Sequence, residues 1–297
     1  MTSALARARA DVDPLPELAN LRRAAQGSSW ALVAGDSLTL VPRLPARSVD
    51  LIFADPPYLL SNGGTTCHGG RRASVNKGAW DKSRGVLQDH AFHVEWLSTC
   101  QRVLKESGTL WVSGTQHVIF SIGFALQELG FRILNTITWY KPNAAPNLAC
   151  RFFTHSAELL LWASPVQRAP LPHLFNYKSM KAVTGRQMRD VWELADRPQA
   201  DERLVVWGIP TPGPREKAHG RHPSQKPIAL LERVLAASTV PGALVLDPFC
   251  GSGTTGVAAI AAGCRFVGIE QDRDYIALAS RRLRGAAPSA PSARPSW

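Results

Sequence analysis

Short, largely apolar runs that alternate with helical patterns are the feature that most constrains the fold of this chain. Five such runs, each of five or six residues, have the length and composition of buried strands. They are residues 30–34, 49–54, 109–113, 243–247 and 265–269. Segments with apolar residues at helical spacing follow several of them. The alternation predicts an α/β fold with a mostly parallel sheet.

Two further runs, residues 131–140 and 158–162, are separated by a link rich in turn formers. Because such neighbours often pair antiparallel, we expect one antiparallel strand at the edge of the sheet. Residues 1–28 are rich in Ala and Arg with turn formers, and residues 285–297 are rich in Pro, Ser and Ala. Both terminal segments are therefore expected to be flexible.

Two internal stretches break the alternation. Residues 59–85 combine glycines and basic side chains without periodicity, which predicts a mobile loop that acts as a lid. Residues 164–221 mix prolines, glycines, basic residues and aromatics, which predicts an inserted lobe of irregular structure. Basic side chains in both stretches could contact nucleic acid. The alternatives are a solvated loop with incidental charge for residues 59–85 and a purely structural excursion for residues 164–221. The candidates are Arg71, Arg72, Lys77, Lys82 and Arg84 in the loop, and Lys178, Lys181, Arg186 and Arg189 in the lobe.

Composition narrows the class of protein further. The 297 residues carry a formal net charge of +11, which favours a polyanionic partner such as nucleic acid. A hydrophobic content of 45% is that of a globular protein. No run is apolar for long enough to span a membrane, and the first residues lack a secretory signal. The five cysteines show no zinc-ligand spacing, so we expect reduced thiols, no metal site and a cytoplasmic location.

The tetrapeptide Asp55-Pro56-Pro57-Tyr58 directly follows the predicted strand at residues 49–54. In an open parallel sheet, ligands bind beyond the carboxyl ends of the strands. Asp55 offers an acceptor for N–H groups, Pro56 and Pro57 stiffen the turn, and Tyr58 offers a flat face on which a base could stack. Together they suit a flat ring with an exocyclic amino group, although four residues alone are equally consistent with a polar turn.

A glycine-rich loop lies between the predicted strands at 243–247 and 265–269. Gly251-Ser252-Gly253-Thr254-Thr255-Gly256 matches the dinucleotide-binding pattern, and the acidic Glu270 follows about twenty residues after the first glycine. An NAD-dependent oxidoreductase is therefore a serious alternative. However, Asp247, with Pro248 and Phe249 after it, puts a carboxylate where a pyrophosphate would be repelled. A ligand with an ammonium or sulfonium group, such as S-adenosylmethionine, fits this position better.

A further carboxylate, Asp36, follows the predicted strand at residues 30–34. It could accept a hydrogen bond from an adenine amino group or a ribose hydroxyl. It could equally well cap the helical turn that follows it. The residues alone leave both roles open.

Three motifs in one order, residues 55–58, 222–227 and 247–255, resemble those of the permuted β class of S-adenosylmethionine-dependent DNA amino-methyltransferases. This resemblance covers about residues 30–284 and implies a target base, adenine N6 or cytosine N4, flipped out of double-stranded DNA. Asp-Pro-Pro-Tyr is commoner in the enzymes that act on adenine N6. The resemblance implies that the cofactor pocket is lined by Asp247, Phe249, Gly251 and Gly253. Pro248 and Thr254 belong to the same motif. It further implies that Glu270 holds the ribose, Asp36 the adenine end and Lys226 the amino-acid end of the cofactor.

The resemblance also implies a Rossmann-like methyltransferase fold, with helices on both faces of the sheet, and a division of the chain. Residues 29–163 would form the catalytic half, 164–221 the target-recognition insertion and 222–284 the cofactor-binding half. It implies that the protein forms a homodimer, that a cognate restriction endonuclease is a partner, and that the protein associates with the nucleoid. Two alternatives remain. One is an RNA or protein methyltransferase, against which the basic lobe counts. The other is a catalytically silent DNA-binding module, against which the intact Asp55 and Tyr58 count.

Overall fold

The structure, a computed structural model, describes most of the chain. The described residues are 13, 15–61, 63, 65–68, 71–74, 78, 81–144, 146–148, 150–151, 153–185, 187–188, 190 and 207–288. Their strands are β1 Arg23–Gln26, β2 Trp30–Ala34, β3 Val49–Ala54, β4 Thr65–His68, β5 Arg71–Ser74, β6 Leu104–Gly114, β7 Arg132–Tyr140, β8 Ala157–Ser164, β9 Trp207–Gly208, β10 Leu244–Asp247 and β11 Arg265–Glu270. Their α-helices are α1 Ser37–Leu40, α2 Val86–Val103, α3 Ile119–Glu128, α4 Tyr177–Thr184, α5 Ile228–Ser238, α6 Thr254–Ala261 and α7 Arg273–Arg284.

A nine-stranded sheet in the order β1-β2-β11-β10-β3-β6-β8-β7-β9 organises the described residues. The five neighbours from β2 to β6 are parallel, so their carboxyl ends meet at one edge of the sheet. The last two strands of the chain, β10 and β11, lie between β2 and β3. The predicted α/β fold with a mostly parallel sheet is confirmed.

The sheet has an antiparallel edge strand, as expected, but it is β1 rather than one of the two strands from which it was predicted. β8 runs antiparallel to both of its neighbours, β6 and β7, and is therefore inside the sheet. The edges are β9, which is parallel to β7, and β1, which is antiparallel to β2. Because β8 is reversed, its first residues lie beside the carboxyl end of β6 and can contribute to a site at that edge of the sheet.

Two hydrophobic clusters cover the two faces of the sheet. One contains Trp96 and Leu97 of α2 together with Ile122 of α3. The other contains Leu231 of α5 and Ile260 of α6, with residues of α7. In α2 and α3 the predicted residues Trp96, Cys100, Val103, Ile119, Ile122 and Leu126 are buried, so one apolar face of each helix packs on the sheet as the sequence pattern predicts. No helix among the described residues is long and apolar enough to cross a membrane.

The prediction that residues 1–28 are flexible is wrong for residues 15–28. Leu15 and Leu18 are completely or almost completely buried, and Leu21 is also buried. β1 then pairs with β2 and extends the sheet. The three leucines recur at a spacing of three residues, which the prolines and arginines around them obscure. Residues 1–12 and 289–297 lie outside the described residues, so their expected flexibility stays a prediction.

The predicted loop at residues 59–85 contains regular structure, contrary to its lack of periodicity in the sequence. β4 and β5 form an antiparallel two-stranded sheet, with Thr65 opposite Ser74 and His68 opposite Arg71. At the base of the excursion, the Ser61 backbone N–H donates to the Asp81 carbonyl at 2.9 Å. The fully buried Asp81 carboxylate also accepts from the Ser61 hydroxyl at 2.8 Å. The excursion is therefore closed at its base, and its mobility stays a prediction.

Candidate active site

Two carboxylates meet at the carboxyl edge of the sheet. Asp247 ends β10 and Asp55 follows β3, and these neighbouring strands pair in parallel through Leu246 and Ile52. Both carboxylates line one cleft of about 280 Å³, a volume that includes its open mouth. The cleft is also lined by Phe53, His222, Ser224, Gln225, Lys226, Phe249, Cys250, Gly251, Ser252, Thr254 and Thr255. The three sequence motifs thus contribute to a single site.

Asp55 is held by three side chains. Its Oδ1 atom accepts hydrogen bonds from the hydroxyls of Ser113 at 2.6 Å and Tyr58 at 2.8 Å. Its Oδ2 atom lies 2.6 Å from the ammonium of Lys226. The side chain of Lys226 is only 6% exposed and that of Asp55 13% exposed. The carboxylate is therefore fixed in orientation, in surroundings where charge interactions are stronger than in water.

Tyr58 is buried, with 5% of its surface exposed. Its ring centroid lies 5.1 Å from the Lys226 ammonium, so this cation covers the ring. Burial, followed by the charges of Asp55 and Glu158, raises the pKa of the Tyr58 hydroxyl well above its ordinary value. The hydroxyl is consequently neutral and available as a hydrogen-bond donor to Asp55. The turn residues Pro56 and Pro57 are buried and half-buried respectively.

Glu158, at the start of β8, joins this group from the reversed strand. Its Oε2 atom lies 3.1 Å from the Tyr58 hydroxyl, whose single proton is shared between Glu158 and Asp55, and 3.7 Å from the Lys226 ammonium. Its Oε1 atom accepts from Lys141 at 2.9 Å. Burial alone would raise the pKa of Glu158, but Lys226 and Lys141 outweigh it and hold this pKa below its ordinary value. Two carboxylates and two ammonium groups thus form a compact, charge-balanced network.

Lys226 is charged despite its burial. Burial alone would lower the pKa of its ammonium, but the charges of Asp55 and Glu158 outweigh that effect and raise the pKa. The resemblance implies that Lys226 lies at the cofactor's amino-acid end, and this role stays a prediction. In the structure its ammonium contacts the carboxylate of Asp55 in the same cleft.

Asp247 is the second fixed carboxylate. Its Oδ1 atom accepts from the Phe249 backbone N–H at 3.0 Å, and its Oδ2 atom accepts from the Thr255 hydroxyl at 2.6 Å. Burial is the main cause that raises the pKa of Asp247 to about 7. A negative charge is therefore costly here unless a cation enters the cleft, which is the environment expected of a cation-binding carboxylate.

The glycine loop brings backbone atoms close to the site. Gly251 and Gly253 have φ values of 50° and 75°, in the left-handed region that favours glycine. A Cβ atom at Gly251 would lie 3.0 Å from the imidazole of His222, and one at Gly253 would lie 2.9 Å from Cβ of Ala279. Pro248, between Asp247 and this loop, is buried. The loop therefore packs so closely against the cleft and α7 that Gly251 and Gly253 have no room for a side chain.

Glu270 ends β11 and accepts three backbone hydrogen bonds. Its Oε2 atom accepts from Gly251 at 2.8 Å, and its Oε1 atom accepts from Gln271 and Asp272 at 2.9 Å each. Burial, the largest cause, raises the pKa of Glu270 in spite of these bonds. A carboxylate oxygen can accept more than one hydrogen bond, so a ribose hydroxyl could still donate to Glu270.

The residues of the cleft fit S-adenosylmethionine. The carbonyl oxygen of the Gln225 side chain is buried and has no hydrogen-bond partner, while its amide nitrogen donates to the Glu216 carbonyl at 3.0 Å. An unpaired acceptor beside Asp247 is suited to the ammonium of the cofactor. Asp247 supplies a negative charge, Phe249 a partly exposed ring, and Glu270 a fixed carboxylate. Gln225 was not among the residues that the sequence singled out.

Two further cofactor candidates, Asp36 and Thr254, also form hydrogen bonds within the protein. Asp36 caps α1, because its Oδ1 atom accepts from the Leu38 backbone N–H at 3.2 Å. The capping role is thus established, and a role at the adenine end stays a prediction. The Thr254 hydroxyl accepts from Arg282 at 2.8 Å, whereas the neighbouring Thr255 is the one that contacts Asp247.

The predicted DNA contacts are spread over the molecule. Lys82 and Arg84 are exposed and follow Asp81, whose carboxylate contacts the backbone directly after Tyr58. Arg71 and Arg72 lie on β5, and their side chains, like the whole of Lys77, Arg186 and Arg189, fall outside the described residues.

Lys178 and Lys181 of α4 are exposed but lie away from the cleft. The residue before α4, Asn176, donates its side-chain amide to the carbonyls of Ala236 and Thr239, at the end of α5. Lys226 precedes the other end of α5, roughly 16 Å away along the helix axis. The structure therefore does not bring these two lysines to the site with the other candidates, because Asn176 fixes α4 at the opposite edge of the sheet.

Comparison with known proteins identifies the family. The DNA methylase family N6_N4_Mtase matches residues 49–281. The chain is 46% identical over 253 residues to the Type II methyltransferase M2.DpnII of Streptococcus pneumoniae, which covers 85% of this chain and 88% of the relative. It is 42% identical over 260 residues to the Type II methyltransferase M2.MboI of Moraxella bovis, which covers 88% of this chain and 89% of the relative.

Two crystal structures also resemble the fold. The M1.HpyAVI–SAM complex covers 86% of this chain and 98% of its own, with a TM-score of 0.58 and 25% identity. The cytosine-N4-specific PvuII DNA methyltransferase covers 89% of each chain, with a TM-score of 0.65, and at 19% identity it supports the fold alone. The family match decides against the oxidoreductase that the glycine pattern left open. The chain belongs to the N6_N4_Mtase family and is an S-adenosylmethionine-dependent DNA amino-methyltransferase.

Proposed function

We propose that this methyltransferase modifies adenine at N6, in a nucleotide flipped out of double-stranded DNA. The observation that carries the proposal is the fixed carboxylate of Asp55, followed by Pro56, Pro57 and Tyr58, in the cleft that also contains Asp247. An amino group inside a duplex is inaccessible, so the nucleotide must leave the stack before it can reach Asp55.

The proposed mechanism uses Asp55, Pro56 and Tyr58. The Asp55 carboxylate and the Pro56 carbonyl accept hydrogen bonds from the two N–H groups of the exocyclic amino group, which directs the nitrogen lone pair at the methyl donor. Tyr58 stacks on the base. When bound, S-adenosylmethionine supplies the electrophilic methyl group. As positive charge develops on the amino nitrogen, the fixed carboxylate of Asp55 stabilises it without having to reorient. Asp55 is also the nearest acceptor for the proton that this nitrogen then loses.

The cofactor residues are proposed by the same reasoning. Asp247 and the side-chain oxygen of Gln225 bind the ammonium group, and Glu270 accepts from the ribose hydroxyls. Phe249 lies against the cofactor, Gly251 and Gly253 let it approach the backbone, and Asp36 is assigned to the adenine end. Thr254 and Pro248 shape the loop. We further infer that residues 29–163 form the catalytic half, which also contributes Asp36 to the cofactor site, that 222–284 form the cofactor-binding half, and that 164–221 are the recognition insertion between them.

Nucleoside mass spectrometry of duplex DNA, treated with the protein and a labelled methyl donor, tests the choice of base. We expect N6-methyladenine, since Asp-Pro-Pro-Tyr is commoner in the enzymes that act on that atom. Cytosine N4 is the alternative, because both bases present an amino group beside a ring nitrogen. N4-methylcytosine without N6-methyladenine would refute the adenine assignment and leave the methyltransferase activity intact.

Asp55→Ala tests the catalytic assignment. We expect methyl transfer to be lost while calorimetry detects nearly unchanged binding of S-adenosylmethionine, because Asp55 acts on the base. Tyr58→Phe keeps the ring and serves as a control for Tyr58→Ala, which should lose stacking worth about 1–3 kcal/mol. Near-normal turnover of Asp55→Ala would refute the assignment.

We also infer a homodimer. Four apolar side chains of α2 and α3, two helices that pack together, are strongly exposed. They are Val86, Leu87, Phe120 and Phe124. A second copy of the chain that covers them would remove this apolar surface from water. Sedimentation should give a dimer for the wild type and a monomer for Phe124→Lys, and a monomeric wild type would contradict the inference.

The type II methyltransferases among the relatives support a role beside a restriction endonuclease that shares the recognition sequence. Such a role places the protein at the nucleoid, where its substrate is. Genomic DNA from cells that express the protein should resist one endonuclease of a test panel, and DNA from cells with Asp55→Ala should be cleaved. Equal cleavage of both DNA samples by every endonuclease would count against this role.

A further inference from the structure

Lys226 occupies the position at which the proposed function requires the target base. Its ammonium lies 2.6 Å from Oδ2 of Asp55 and 5.1 Å from the centroid of the Tyr58 ring. Asp55 is the acceptor for the amino group of the base, and Tyr58 is the stacking surface. A base cannot make both contacts while the ammonium remains there. Lys226 must therefore move when the base arrives.

An ammonium that is almost completely buried needs a counter-charge wherever it moves. Loss of one partner of a buried ion pair leaves an uncompensated charge, which is strongly unfavourable. Glu158 is the other carboxylate beside Lys226, and its Oε2 atom lies 3.7 Å from the ammonium. A displacement of about 1 Å would bring the two groups to the usual ion-pair distance. The Ser224 carbonyl, 3.4 Å from the ammonium, can remain a partner throughout.

The contacts of Glu158 prepare it for this exchange. Lys141 binds its Oε1 atom at 2.9 Å, which leaves Oε2 directed at Tyr58 and Lys226. The side chain of Glu158 is 12% exposed, so water competes weakly for the charge. Glu158 also has no assigned part in the transfer of the methyl group, although it is a buried carboxylate in the middle of the site.

We propose that Glu158 is a positioning residue that takes over the ammonium of Lys226 when the flipped base displaces it from Asp55. Before the base arrives, Lys226 neutralises Asp55 and keeps the site ordered. After the exchange, Glu158 holds Lys226, and Asp55 is free to accept from the amino group. This inference rests on the proposed function, because it assigns the base to Asp55 and Tyr58.

The test is Glu158→Gln in the full-length protein, with duplexes that contain the sequence methylated by the wild type. One duplex carries the target base, and a matched duplex carries an abasic position in its place. We expect Glu158→Gln to weaken binding of the first duplex at least about tenfold, since Lys226 then stays on Asp55. Binding of the abasic duplex, which displaces nothing, should change less than about twofold. Equal weakening on both duplexes would overturn the proposal.

A double-mutant cycle supplies the second measurement. If Glu158 acts by receiving Lys226, Glu158→Gln should have little further effect on base binding in a Lys226→Met background. Fluorescence of 2-aminopurine placed next to the target adenine reports when that base leaves the stack and does not require methyl transfer. An undiminished effect of Glu158→Gln in the Lys226→Met background would overturn the proposal, since it would act through another contact such as Tyr58.

Two controls keep the outcome interpretable. Glu158→Asp retains the charge one methylene further from Lys226, so it should show a smaller loss than Glu158→Gln, and it replaces that variant if Gln prevents folding. Asp55→Ala separates the two levels of inference. If Asp55→Ala stays active, the proposed function fails. If it is inactive while Glu158→Gln discriminates the two duplexes like the wild type, only the exchange fails.

Discussion

The carboxylate of Asp81 accepts a hydrogen bond at 2.8 Å from the backbone N–H of Leu59, the residue that follows Tyr58. Leu59 has a φ of 58°, in the left-handed region that a leucine rarely adopts. Asp81 also contacts the Leu60 backbone N–H at 3.3 Å and the Ser61 hydroxyl at 2.8 Å. A buried carboxylate 22 residues along the chain thus fixes the strained backbone directly after Asp55-Pro56-Pro57-Tyr58.

Asp81→Ala should disturb Tyr58 and spare the cofactor site. Loss of three hydrogen bonds leaves Leu59 free to leave its strained conformation, so we expect kcat to fall about tenfold and KM for DNA to rise. Calorimetry should give an unchanged Kd for S-adenosylmethionine. Leu59→Gly in the Asp81→Ala background removes the strain and should restore part of the activity. An Asp81→Ala enzyme with wild-type kinetics would show that the turn holds its own conformation.

Asp247 predicts a dependence of cofactor affinity on pH. Burial raises its pKa to about 7, so below that pH the carboxyl of the free protein is protonated and must lose a proton to bind a cation. Affinity should therefore rise by up to about tenfold per pH unit between about pH 5 and about pH 7, and then level off. Calorimetry in buffers of different ionisation enthalpy should detect proton release below about pH 7. Asp247→Asn should bind weakly at every pH, with no proton release from this position.

The same shift makes a prediction about stability without cofactor. A carboxyl whose pKa is higher in the folded state stabilises the fold fully below its ordinary pKa, which is 3.8. That contribution is lost as pH rises through about 7, at a cost of about 1.4 kcal/mol per pH unit. Urea unfolding of the wild type should show this loss, and Asp247→Asn should show a flatter profile over the same range. Identical profiles would mean that the carboxylate is ionised at low cost.

Gly251 and Gly253 form a matched pair with different consequences. Both have positive φ values, so alanine is strained at either position by about 1 kcal/mol or more. Gly251→Ala would press on His222 in the cleft, whereas Gly253→Ala would press on Ala279 of α7. We expect Gly251→Ala to weaken S-adenosylmethionine binding more than it lowers Tm, and Gly253→Ala to do the opposite. Equal effects of the two substitutions on both measurements would refute this separation.

The positions of the basic residues predict which of them bind DNA. Lys82 and Arg84 lie next to the base of the loop that Asp81 closes, and Lys178 and Lys181 lie at the far end of α5. Lys82→Ala and Arg84→Ala should each weaken binding and reduce the slope of log K against log salt by about 0.9. Lys178→Ala and Lys181→Ala should leave that slope nearly unchanged. A reduced slope in the second pair would mean that DNA also contacts the opposite edge of the sheet.

The parts of the site that the sequence predicted lie at the ends of parallel strands. Asp55, Asp247 and Glu270 each follow or end a recognisable apolar run, and parallel strands bring such ends together at one edge. Ser113 could have been found by the same rule, because it is a polar residue near the end of β6. The pattern of apolar runs therefore predicts most of the fold and the positions of both carboxylates in the cleft.

The residues that the sequence missed depend on tertiary structure. Glu158 stands at the start of an apolar run, which would put it at the wrong edge if β8 were parallel. Only the reversal of β8 brings it to Tyr58. Asp81 precedes a helix by five residues and resembles any polar loop residue, since its partners lie about twenty positions earlier. Leu15 and Leu18 were hidden because the prolines and arginines around them resemble a flexible terminus.

The position of β10 and β11 between β2 and β3 has a consequence for the synthesis of the protein. A growing chain exposes β2 and β3 long before the two strands that separate them emerge from the ribosome. Contacts between residues so far apart in sequence are slow to form and leave strand edges open meanwhile. The nascent chain would carry Asp55 without the cradle for its methyl donor. Methylation is thus confined to molecules whose last two strands have been added to the sheet.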